Sequence, residues 1–191
     1  ELNFNKKIRG SKKPNVAPVS SREDAIKLLN SIDFTRRVAV SKAAELYDPL
    51  GMFEPIKLQM KLALSSLNSL NWEESLPENL QQEWRDLLVS YVDLPNILVD
   101  RFVLPKALGV CDGIRLICIS DAAEHAGGAA VYAGVKLESG HYSCKLVASK
   151  SKMMNATVPR NELSAIMLMT ELAYITKKAL GSAVSEVLYV T

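Results

Sequence analysis

The chain has 191 residues, room for one large domain or two small ones, with 48% apolar and 23% charged residues, an ordinary globular balance that supports a packed core. Net charge is only +2, so bulk charge does not announce a nucleic-acid partner. Two histidines, His125 and His141, and three cysteines, Cys111, Cys118 and Cys144, without a CxxC pair exclude zinc-ligand spacing and fit a reducing, intracellular setting. There is no apolar run of about 18 residues and no signal-peptide pattern, so no membrane partner is expected. The sequence starts without Met and stops inside a strand pattern, which reads as an excerpt from a longer chain.

Residues 1–35 read as a basic linker followed by a short helix. Lys6, Lys7, Arg9, Lys12 and Lys13 cluster beside Pro14 and Pro18, and Ser20 or Ser21 caps a helix whose apolar face is Ala25, Ile26, Leu28 and Leu29. Residues 36 to about 92 read as helical. Asp48-Pro49-Leu50-Gly51 breaks the pattern, because Pro49 removes a donor and Gly51 admits positive φ. Ile56, Met60, Ala63, Leu64 and Leu67 then recur at one-face helical spacing, ending near Asn71-Trp72. A further helix opens at Leu76-Pro77-Glu78-Asn79 and carries the stripe Leu80, Trp84, Leu87, Leu88 and Tyr91 before Pro95 stops it. At this spacing Trp72 and Trp84 are expected in the core rather than as base-stacking platforms. Residues 96–109 form a connector with Pro105 and Gly109.

From about residue 112 the periodicity changes. Residues 114–120 are a central strand, residues 127–133 a second of small residues, and Tyr142 to Ala148 a third, with Glu138-Ser139-Gly140 as hairpin turn. A long helix runs from Pro159 to Leu180, and residues 187–191 give a fourth strand. The order β-β-β-α-β predicts a mixed sheet in an α+β chain, the last strand lying parallel to one before the helix.

Asp121 ends the first strand on the face of Ile117 and Ile119, and Glu162 opens the long helix in the row Glu162, Ile166, Met169, Ala173, expected to face the sheet. Both carboxylates can therefore meet at one end of the sheet. Clustered carboxylates repel, and Mg2+ relieves that while keeping positions for water and phosphate. Two such ions about 3.5–4 Å apart can activate a water and stabilise the leaving oxygen of a phosphodiester. A helix-capping role for Asp121-Ala122-Ala123-Glu124 and a dipole role for Glu162 stay open beside this reading. Lys145, Lys150, Lys152 and Arg160 lie between the two acids, as a solvated face or as nucleic-acid contacts. Gly127-Gly128 is no phosphate loop, Ser149 and Ser151 have no neighbouring His, and Asp112-Gly113 is not the Asp-Thr/Ser-Gly loop of an aspartic peptidase.

Several ordered segments carry a resemblance over about residues 20–191. Ala44-Glu45-Leu46-Tyr47-Asp48-Pro49-Leu50-Gly51-Met52-Phe53-Glu54-Pro55 is similar to "S-x-Y-D-P-L-G-L-x-x-P", and Leu70-Asn71-Trp72-Glu73-Glu74-Ser75-Leu76-Pro77, with Trp84 after it, to "L-x-W-D-x-x-L-P … W". Ile119-Ser120-Asp121-Ala122-Ala123 with Gly128-Ala129-Ala130-Val131-Tyr132, then Ala148-Ser149-Lys150-Ser151-Lys152, then Val158-Pro159-Arg160-Asn161-Glu162-Leu163 resemble "F-S-D-A-S … G-A-x-x-Y", "A-K-S-[KR]" and "[IV]-P-R-x-E-L". These are motifs of the Pol polyprotein of BEL-Pao-type LTR retrotransposons, from behind the reverse transcriptase palm into RNase H. Ala123 stands where the family usually has Ser.

The resemblance implies a helical thumb or connection segment over residues 36–108 and a C-terminally truncated RNase H-like domain over 109–191. It places Asp121 and Glu162 at two metal-binding acids for Mg2+ or Mn2+, with a third expected directly after residue 191 and a fourth also beyond it. Implied partners are an RNA–DNA hybrid, gripped through its phosphates and A-form shape by residues such as Lys150, Lys152 and Arg160, and the rest of the polyprotein. The implied location is the cytoplasm or a virus-like particle. The isolated piece is expected to lack nuclease activity. The alternatives are a non-catalytic RNase H-like binding or connection module and, disfavoured because Asp121 has no evident Asp partner, an aspartic-type peptidase.

Overall fold

The computed structural model describes residues 21–94 and 113–191. The basic segment 1–20, Pro95, the connector 96–109, Cys111 and Asp112 lie outside the described residues. The chain divides into two compact units, one drawn from Glu1–Tyr47 and Gln59–Val99, the other from Asp48–Leu58 and Asp100–Thr191. Among the described residues no helix is long and apolar enough to cross a membrane.

The first unit is helical. α1 (Arg22–Asn30) starts where the Ser21 hydroxyl accepts from the Asp24 N–H at 3.1 Å, and α2 (Arg36–Ala44) where Thr35 accepts from Val38. α4 (Glu78–Val92) follows Pro77, as the sequence pattern predicts. With the Gln59–Ser66 part of α3 (Glu54–Ser66), these elements enclose Phe34, Ala39, Met60, Leu67, Leu76, Trp84 and Leu88, all nearly inaccessible. Gln81 is the buried polar link: its amide accepts from Phe34 N–H and donates to Leu76 O at 2.9 Å. Arg22 and Asp93 pair on the surface. That hydrogen bond holds the Asp93 carboxyl below its ordinary range and raises Arg22.

Trp84 is in the core, but Trp72 is not. It is 46% exposed, with the Arg36 guanidinium 4.5 Å from its ring centroid. α3 ends at Ser66, before Trp72, so the ring falls outside the helical stripe. Arg36 instead donates to the carbonyls of Asn68 and Leu70 behind α3 and lies over the indole.

The second unit contains β1 (Ile114–Ala122), β2 (Ala126–Lys136), β3 (Tyr142–Met153), α5 (Val158–Leu180) and β4 (Val184–Val190). The sheet order is β3-β2-β1-β4, with β1 antiparallel to β2, β2 antiparallel to β3, and β4 parallel to β1 across α5. This is the predicted mixed α+β topology. α5 covers one face, where Ile114, Leu116 and Cys118 of β1 and Ala129, Val131, Ala133 and Val135 of β2 meet Leu168, Met169 and Ala173.

Two features differ from the sequence expectation. β3 continues past Ala148 to Met153, because a second partner supports its polar end. That partner is the Asp48–Leu58 segment. The Asp48 carboxylate accepts from the Met52 and Phe53 N–H groups at 2.9 and 2.8 Å, closing the turn, and Gly51 sits at φ 77°. Ser149 N–H donates to Leu50 O at 2.8 Å and its hydroxyl to Gly51 O at 2.5 Å. Ser151 donates through both N–H and hydroxyl to Glu54 Oε2, at 2.8 and 2.5 Å, and Lys57 pairs with the other oxygen of Glu54. Glu54 and Ser151 are both buried. The Asp-Pro-Leu-Gly segment is therefore part of the sheet unit.

The second difference is the rotation of α5. Its buried row is Asn161, Ala165, Leu168, Met169, Ala173 and Thr176. Met169 and Ala173 face inward as expected, whereas Glu162 is exposed and its neighbour Asn161 is inside.

Candidate metal centre at the end of the central strand

Strand alternation fixes where Asp121 points. Ile114, Leu116 and Cys118 belong to the α5-side core, so Ile117, Ile119 and Asp121 lie on the opposite face. Asp121 is next to last in β1, paired with Gly128 of β2. It is exposed, and its Oδ1 accepts from the Ala122 N–H at 2.9 Å. Glu162 is exposed in the first turn of α5, where the partial positive charge of the helix end favours a carboxylate.

Asn161 ties the two segments together. It is 1% exposed, and its amide nitrogen donates to Ala123 O at 3.0 Å and Glu124 O at 2.9 Å, while its oxygen accepts from Ala156 N–H. The loop that follows Asp121 is thus bonded to the residue that precedes Glu162. Ala123 N–H closes that loop onto Ala126 O, and Met154 N–H bonds His125 O from the end of β3. Asn161 is the positioning residue that sequence reasoning missed. Its signal is an amide in the first turn of a helix, at a position otherwise turned toward an apolar sheet.

Lys150 and Lys152 are exposed on the part of β3 that extends past Ala148. Their register against Ala129 and Gly127 puts them on the α5 side, alternating with Ser149 and Ser151. Arg160 is exposed in the first turn of α5. Glu162 and these three cations therefore lie on the α5 side, and Asp121 on the other, so the acids can share a ligand only around the end of the sheet. Of the thiols described, Cys118 is in the core, where burial raises its pKa, whereas Cys144 is exposed rather than packed.

Among the described residues no group of three or more His, Cys, Asp or Glu side chains gathers to hold a metal ion. Two exposed carboxylates do fit Mg2+ or Mn2+, since magnesium is commonly held by one or two carboxylates with water and phosphate completing its shell.

The chain resembles solved structures of a foamy viral protease-reverse transcriptase. The complex with RNA/DNA hybrid shares 17% identity at a TM-score of 0.46, covering 89% of this chain and 21% of that one. The complex with dsDNA shares 15% identity at a TM-score of 0.48, covering 87% of this chain and 32% of that one. The chain thus spans between about a fifth and a third of the length of these two structures. No curated protein matches the sequence. The family described as Pao retrotransposon-like RNaseH-like domain matches residues 35–191. With this match over most of its length, and with the mixed sheet and crossover helix in place, the chain belongs to the Pao retrotransposon-like RNaseH-like domain family.

Proposed function

We propose that the chain is the part of a retrotransposon Pol polyprotein that grips an RNA–DNA hybrid and contributes Asp121 and Glu162 to a metal-dependent phosphodiester-hydrolysing site. The observation that supports this most is the Asn161 bridge, which ties the loop after Asp121 to the helix turn that bears Glu162. Bound there, Mg2+ or Mn2+ would supply Lewis-acid stabilisation of the phosphodiester and an activated water. The chain's own contribution is positional. The Ala122 N–H fixes one oxygen of Asp121, and Asn161 fixes the turn that carries Glu162. Lys150, Lys152 and Arg160 add sequence-independent phosphate contacts on the α5 side. Residues 36–108, apart from the Asp48–Leu58 segment that belongs to the sheet unit, serve as the thumb or connection segment and 109–191 as the RNase H-like domain, in the reducing interior of a cell or particle.

The test is Mg2+-dependent cleavage of the RNA strand of a hybrid by the full polyprotein. Asp121→Asn and Glu162→Gln should each abolish it. Undiminished cleavage with Asn at 121 overturns the assignment. A second reading, a non-catalytic binding or connection module, is favoured because no group of three or more His, Cys, Asp or Glu side chains gathers among the described residues. It predicts hybrid binding without cleavage in wild type and variants alike.

A further inference from the structure

Trp72 follows the end of α3 and is 46% exposed, with the Arg36 and Arg37 guanidiniums 4.5 and 5.8 Å from its ring centroid. Both arginines are fixed there. Arg36 donates to the carbonyl oxygens of Asn68 and Leu70 at 3.1 and 3.2 Å and to Asn68 Oδ1 at 3.3 Å. These acceptors are neutral, and among the described residues no carboxylate pairs with Arg36. The Arg37 N–H donates to Trp72 O at 3.1 Å, which joins the start of α2 to the segment that bears the indole. Its guanidinium pairs with Glu73, but the two side chains are 65% and 70% exposed, so solvent screens the pair and a competing anion can replace the carboxylate. Helix stability does not explain the two cations, since the first turn of α2 disfavours positive charge and holds no acid to offset it. Closing the end of α3 accounts for Arg36 alone. It leaves Arg37 and the open part of the indole without a role in the fold.

We propose that Trp72, Arg36 and Arg37 form a surface for single-stranded nucleic acid, the indole packing on an unstacked base and the guanidiniums meeting the adjoining phosphates. Indole rings stack on bases of any sequence, and a guanidinium presents paired donors to phosphate oxygens. An acidic peptide would engage the arginines but bring no flat ring to the indole. All three residues belong to the helical unit, and the surface uses neither Asp121 nor Glu162.

The chain has two tryptophans, which makes the test spectroscopic. Tryptophan emission is titrated with a short oligouridylate in wild type and Trp72→Phe. Wild-type emission should fall on binding, and the fall should vanish in Trp72→Phe, because Trp84 is inaccessible. Anisotropy of the labelled oligouridylate then reads affinity, alongside thermal unfolding. Trp72→Ala should weaken binding by about tenfold. Arg37→Gln should reduce the slope of log affinity against log salt by about one. Unchanged wild-type emission, or wild-type affinity in Trp72→Ala at an unchanged melting temperature, overturns the inference. Should Trp72→Ala melt lower, Arg37→Gln decides, and an unchanged salt slope there overturns it. Equal quenching by a polyglutamate peptide assigns the surface to acidic peptides and overturns it as well. Binding of a blunt RNA–DNA hybrid without any response to oligouridylate overturns this inference and leaves the proposed hybrid grip standing. A Trp72 response to oligouridylate without hybrid binding does the reverse.

Discussion

Replacing Glu54 should destabilise the sheet unit far more than an ordinary surface carboxylate would. Its side chain is only 8% exposed and Lys57 is 25% exposed, so solvent screens their pairing weakly. Glu54 Oε2 accepts two bonds from Ser151, at 2.8 and 2.5 Å. A hydrogen bond to a charged group is worth roughly 1.5–3 kcal/mol, so Glu54→Ala, which deletes both, should cost about 3–5 kcal/mol. Ser151→Ala keeps the N–H bond and should cost about 1–2 kcal/mol. The pair should then show a coupling energy of about 1–2 kcal/mol in a double-mutant cycle. Trp72 and Trp84 both belong to the other unit, so tryptophan fluorescence is the wrong probe. Hydrogen exchange of the β2–β3 amides reads the sheet unit directly. A coupling below about 0.5 kcal/mol, or a Glu54→Ala loss no larger than that of Ser151→Ala, would refute the reasoning.

Other expectations concern neighbouring parts of the same unit. Gly51→Ala combines a left-handed φ of 77° with an overlap 2.1 Å from Ser149 O. It should cost more than about 3 kcal/mol and raise exchange at the end of β3 before the rest of the sheet. Asn161→Ala removes the bonds to Ala123 O and Glu124 O from a buried site and should cost about 2–3 kcal/mol, visible as faster exchange of the Ala123 and Met154 amides. Native-state thiol labelling should lose a fast-reacting group in Cys144→Ser. Cys118→Ser should leave the fast phase unchanged, because the Cys118 thiol is buried in the core.

What was legible in the sequence was whatever local periodicity encodes. The alternation through Ile117, Ile119 and Asp121 gave β1 and the face of its terminal acid, and Gly140, at φ 83°, marks the hairpin between β2 and β3. The apolar stripe gave α5, and the single helical crossover gave the parallel pairing of β4 with β1. What was hidden depends on contacts distant in sequence. The strand pattern stops at Ala148 because the serines of Ser149-Lys150-Ser151-Lys152 are satisfied by Leu50, Gly51 and Glu54, nearly a hundred residues away, rather than by an apolar face. The Asp48-to-Pro55 motif was recognisable as a signature, but its role in docking onto β3 required the fold. The rotation of α5 was misjudged for a related reason: a polar residue, Asn161, takes the inward position because loop carbonyls await it there. Trp72 shows that spacing alone does not bury an aromatic ring once its helix has ended.

The most direct test of the two-carboxylate site is Mn2+ titration of the isotopically labelled chain, followed by paramagnetic broadening of its amide resonances. The account predicts that broadening centres first on Ala122, Ala123, Asn161 and Leu163, the amides flanking Asp121 and Glu162, and disappears in the Asp121→Asn, Glu162→Gln double variant. Broadening centred on another acidic stretch, such as the turn at Glu138, or persisting unchanged in the double variant, would contradict it.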